Sequence, residues 1–74
     1  MQKQVPEPGA ELLNLVRARF IERGDSLHAW CVANDVDWSY AHRSLTGTYN
    51  YPAARRLRER IMTATGLNKE ETNG

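Results

Sequence analysis

The sequence predicts a small all-α domain: a compact four-helix fold, or five short helices, with a tightly turned helix pair, a helix-turn-helix, at its centre. Three observations predict it. Apolar residues recur at helical spacing along two long segments, and glycines and cap-forming residues punctuate the chain at short intervals. No stretch of useful length alternates polar and apolar residues as a strand would. With 74 residues the chain holds one domain, expected over 10–67, between a flexible N-terminal arm at 1–9 and a flexible tail at 68–74.

The arm is polar, with Pro6 and Pro8 breaking local structure. A first helix is expected from about Ala10 to Arg23, because Leu12, Leu13, Val16 and Phe20 share one face while Glu11, Asn14, Ala18 and Glu22 share the other. Gly24 stops it. Asp25 or Ser26 can accept bonds from free backbone donors, which starts a second helix over Leu27 to about Ala33. Asn34 and Asp35 form a turn pair, since both tolerate left-handed backbone, and Val36 follows as an inward anchor.

Asp37 caps a third helix, Trp38 to about Leu45, whose inward positions are Ala41 and Leu45 and which Gly47 closes. After a loop over Thr48 to Tyr51, Pro52 suits the first turn of a fourth helix reaching Thr65. Its expected apolar stripe is Ala53, Ala54, Leu57, Ile61 and Ala64, with Arg56 and Arg60 bordering one side and Arg55 and Arg58 the other. Gly66 and Leu67 read as its terminating cap.

Composition narrows the function classes. At 41% apolar and 26% charged, the chain has the balance of a folding domain rather than a disordered one. A net charge of +1 is too weak to indicate a nucleic-acid partner by itself, so its distribution decides. Across residues 26–66, Arg43, Arg55, Arg56, Arg58 and Arg60 outweigh Asp35, Asp37 and Glu59. Every cation there is arginine, whose planar fork suits phosphate and guanine.

The single cysteine, Cys31, cannot form an intrachain disulfide, and no Cys/His cluster has zinc spacing, so no metal or other cofactor is expected. Without an apolar span or a leader-like segment, the chain is expected in a reducing cytoplasm, with no membrane partner. Cys31 and His28 lack an orienting acid and oxyanion donors, so both read as structural and no enzyme is expected.

Two short helices joined by a tight turn meet the requirement of a helix-turn-helix, in which the first braces and the second enters the major groove. Where the helices cross a small residue is needed, and Cys31 supplies it; Leu27, Trp30, Val36, Ala41 and Leu45 complete the contact. The run Ser26 to Asp37, followed by Ala41 and Leu45, resembles the repressor/Cro superfamily of phage and bacterial regulators. More narrowly, Gly24-Asp25-Ser26-Leu27 and the Tyr51-Pro52 exit are similar to Ner-like regulators of Mu-type transposable phages. The resemblance covers about Phe20 to Leu67. It departs at Asp35, where the family favours glycine, and at Trp38, where small polar or amide side chains are usual.

The resemblance implies double-stranded DNA as partner in a bacterial host, with Trp38, Ser39, His42 and Arg43 contacting bases. Tyr40, Thr46, Thr48, Tyr49, Arg55 and Arg56 would hold phosphates. It also leaves a homodimer on DNA open, although no heptad or second apolar face here specifies one. The expected role is transcriptional regulation. An excisionase-like or transposition-control protein that bends DNA is the alternative within that class. A helical protein-interaction module anchored by Trp38, Tyr40 and Tyr49 is the alternative outside it. The arginines from 55 to 60 also fit the plain solvated side of a surface helix.

Overall fold

The structure, a computed structural model, describes residues 5–68. It is all-α: α1 (Ala10–Glu22), α2 (Leu27–Ala33), α3 (Trp38–Thr46) and α4 (Pro52–Thr65), with no strand among the described residues. Helical backbone resumes at Leu67 and Asn68. No helix among the described residues is long and apolar enough to cross a membrane.

Local chemistry sets the helix ends. Gly24, at φ 75°, ends α1: its N–H donates to Ile21 C=O at 3.0 Å and Asp25 N–H to Phe20 C=O at 2.9 Å. Ser26 then caps α2, its Oγ accepting from Ala29 N–H at 3.0 Å, while the Asp25 carboxylate accepts from Ser26 N–H at 2.8 Å. The α2–α3 turn repeats the glycine-type ending without a glycine. Asp35 takes φ 56°, its N–H donating to Val32 C=O at 3.2 Å and Val36 N–H to Cys31 C=O at 2.8 Å. Asp37 caps α3, Oδ2 accepting from Tyr40 N–H at 3.0 Å, and Pro52 opens α4.

Leu12, Leu13, Val16 and Phe20 of α1 are buried against Leu27 and Cys31 of α2, Ala41 and Leu45 of α3, and Leu57 and Ile61 of α4. α3 packs on α1, α2 and α4, so its inner face has nowhere to turn. Trp30 and Val36 pack on the edge of this core, as a bracing pair requires. Each fully buried Leu or Ile contributes roughly 1.5–3 kcal/mol by leaving water.

The structure adds contacts at both ends of the domain and corrects one expectation. Within the arm, Val5 packs on the core and Gly9 N–H donates to Leu45 C=O at 3.0 Å; residues 1–4 lie outside the described residues. At the other end, Leu67 is buried, and Asn68, expected in the tail, donates from Nδ2 to Thr63 Oγ1 at 2.7 Å; residues 69–74 lie outside. Finally, α4 is rotated from its expected stripe: Ala53 is exposed and Ala64 half-buried, while Met62 and Thr65 are buried and Arg58 is half-buried. Two alanines carry too little apolar area to orient a helix against Met62. The guanidinium of Arg23 donates to Ala64 C=O, tying the end of α1 to the end of α4, where a cation is favoured.

Candidate nucleic-acid interface

α3 separates cleanly into two faces. Ala41, Ser44 and Leu45 are buried, and the Ser44 hydroxyl donates to Ala41 C=O at 3.0 Å, so that buried hydroxyl is satisfied. Ser39 and Arg43 are exposed, Trp38 is 43% exposed, and His42 and Tyr40 are half-buried. Of the four residues expected to contact bases, Trp38, Ser39 and Arg43 are thus exposed and His42 lies at the edge between the two faces. Behind them Cys31 is buried; desolvation, and then the charge of Asp37, push its thiol above the ordinary pKa. It packs as a neutral thiol, with α2 held against α3 on either side of it.

The outward side chains are paired. Trp38 and His42, one turn apart, bring their rings to 5.0 Å between centroids. Trp38 therefore remains on the α3 surface instead of folding back onto the domain. Arg43 lies over Tyr49, 5.7 Å from the ring centroid, and donates to the Tyr49 hydroxyl at 3.4 Å.

The loop after α3 makes this pairing possible. Gly47, at φ 84°, reverses the chain, and Tyr49 N–H donates back to Arg43 C=O at 3.1 Å. Thr46 Oγ1 also donates to that carbonyl at 3.3 Å and meets Thr48 Oγ1 at 3.0 Å, so part of the hydrogen-bonding capacity of Thr46 is already used. Tyr40, Tyr49 and Tyr51 gather with ring centroids 5.6 to 6.4 Å apart. A hydrogen bond with Tyr40, more than desolvation or the neighbouring phenols, pushes the Tyr51 phenol above its ordinary pKa.

The α4 arginines do not form one surface. Arg58 donates to Ser44 C=O at 2.9 Å and to Asn50 Oδ1 at 3.1 Å, clamping α4 to the last turn of α3 and to the loop beyond it. Arg60 lies over Trp30 at 5.4 Å and reaches Asn34 Oδ1 at 3.5 Å, a long contact. Arg56 borders a cleft of about 440 Å³ between α4 and the α2–α3 turn, which Asp35 and Asp37 also line. Arg55 is exposed. Of the expected phosphate contacts, Arg55 and Thr48 are exposed on the surface, Arg56 is exposed and lines the same cleft as Asp35 and Asp37, and Tyr40, Tyr49 and Thr46 make contacts within the protein.

From the sequence Arg58 borders the α4 stripe without a partner, and Tyr51 has no role beyond the exit into α4. The signal for Arg58 was present: it lies four residues after Ala54 and three before Ile61, both fully buried, so it flanks the inner stripe. Tyr51 gave no local signal, since it joins Tyr40 only through the reversal at Gly47. Among the described residues no group of three or more His, Cys, Asp or Glu is placed to hold a metal ion. Comparison with protein-family models, curated proteins and solved structures returned no match for this chain.

Proposed function

We propose that this protein is a sequence-specific double-stranded DNA-binding regulator of a phage or other mobile element, in which α2 braces α3 and α3 enters the major groove. One observation carries the reading: Trp38, Ser39 and Arg43 are exposed on a single short helix whose opposite face, Ala41, Ser44 and Leu45, is fully buried. Nine residues make a rod about 13 Å long, and a helix fits a major groove about 12 Å wide. The sequence resemblance to repressor/Cro regulators, and within them to Ner-like proteins, supplies the biological role.

In this arrangement Arg43 donates a bidentate pair to guanine O6 and N7, worth about 1–3 kcal/mol of discrimination. Ser39 and His42 reach neighbouring base edges, and Trp38 offers its face to a thymine methyl. Thr48, Arg55 and Arg56 supply phosphate contacts, which add affinity without sequence information. Because only two of these are cations, few counterions are released and the salt dependence of binding is shallow.

An NMR titration with duplex DNA flanking the gene tests the reading. Amide shifts are expected over Trp38 to Arg43 and at Thr48. Arg43→Ala should then lower discrimination at one base pair by about tenfold, while Arg56→Ala weakens binding to all duplexes alike. Spectra unmoved by any duplex, or shifts confined to α1, would end the proposal.

A further inference from the structure

We infer that Tyr49 is a positioning residue for Arg43, held in place by Tyr40 and Tyr51, so that discrimination at the base pair Arg43 reads depends on a side chain that touches no base. The inference rests on the DNA-binding reading above. An arginine standing alone on an exposed helix samples many rotamers and loses that freedom on binding, which weakens directional readout. Arg43 does not stand alone. Its guanidinium has the Tyr49 ring on one side and the Tyr49 hydroxyl as an acceptor. The Tyr49 backbone is bonded to the Arg43 carbonyl, so both ends of the pair are fixed to each other.

Tyr49 is in turn supported. Its ring meets Tyr40, which α3 carries, at 5.8 Å and Tyr51, which leads into α4, at 5.6 Å. Tyr40 and Tyr51 stack at 6.4 Å with 27° between their planes, closing a triangle of rings of which Tyr49 is the corner that meets Arg43. The contact occupies one donor of Arg43 at long range and leaves the rest of its five-donor fork for a base.

Two measurements test this, one without DNA. In the free protein, 15N relaxation at Arg43 Nε should report an ordered side chain, and Tyr49→Leu should make it mobile. An Nε–H equally mobile in both proteins overturns the inference, and this arm holds whether or not the protein binds DNA.

The second arm compares Kd for the preferred duplex with Kd for the same duplex altered at the base pair Arg43 reads. Tyr49→Leu should shrink that ratio about three- to fivefold, with affinity for an unrelated duplex held within about twofold. In an Arg43→Ala background it should change nothing further. An unchanged ratio, or equal weakening on every duplex, overturns the inference; the latter would make Tyr49 a phosphate contact. Should Tyr49→Leu fail to fold, Tyr49→Phe carries both readouts, with about a twofold loss of discrimination expected and no loss overturning the proposal. Failure of the wild-type chain to bind any duplex would instead strike the DNA-binding reading.

Discussion

Arg43 and Arg58 attach to the same stretch of chain, the end of α3 and the loop after it, with opposite results. Arg43 is exposed and meets a tyrosine ring and hydroxyl that lie beside it on the surface. Arg58 is half-buried, with Ser44 C=O and Asn50 Oδ1 as close acceptors. Charge alone does not distinguish them, and a count of central arginines therefore overstates the surface available to a polyanion. The distinction lies in the acceptors: a guanidinium bonded to a helix-end carbonyl holds the fold, and one without such an acceptor can still meet a ligand.

The sharpest way to break this contrast is Arg58→Ala. It leaves the Ser44 carbonyl and the Asn50 amide without their donor, so a loss of about 2–3 kcal/mol is expected. For a domain of this size that lowers Tm by roughly 10–20 °C in a thermal unfolding scan. An unchanged melt would place Arg58 with Arg43 as a surface residue.

Gly47→Ala should cost about 1–2 kcal/mol, read as a lower urea midpoint. The position has φ 84°, and a Cβ there would lie 3.1 Å from Pro8 Cβ. This variant attacks the reversal that brings Tyr49 back to Arg43, so it should also loosen the Arg43 side chain.

At the α2–α3 turn the expected effect is smaller and of opposite sign. Asp35→Gly relieves left-handed strain at φ 56° but makes the unfolded chain more flexible, for a net gain of about 0.5 kcal/mol in denaturant melts. Smallest of all, Arg43→Ala should leave stability within about 0.5 kcal/mol of wild type, its expected effect falling on discrimination at one base pair instead. A large destabilisation by that variant would collapse the distinction from the other side.

The helices themselves were legible. Ser26, Asp37, Gly24, Gly47 and Pro52 act on backbone groups within a few residues, and each ends or starts a helix where its chemistry predicts. The outward placement of Ser39 and Arg43 followed as well, because Ala41 and Leu45 alone orient a nine-residue helix. The choice between Asp25 and Ser26 as cap needed coordinates, and both turn out to take part.

The place of Arg58 beside the α4 stripe was legible, but its role as a clamp was not, because its acceptor, Ser44 C=O, fourteen positions earlier, lies beside it only in the fold. Nor was the anchoring of residues 5–9, which depends on Gly9 N–H meeting Leu45 C=O across the fold. Nor was the gathering of Tyr40, Tyr49 and Tyr51, whose rings meet only after the chain reverses at Gly47.

By itself, the sequence determined that this chain is all-helical, where its helices begin and end, and which face of α3 looks outward. Those properties depend on caps and periodicity, whose forces act over one turn. Only the tertiary structure decided which arginines are spent on the fold and which ring lies beside Arg43. Each of those depends on an acceptor or ring delivered by another element, and such neighbours exist only once the chain has packed.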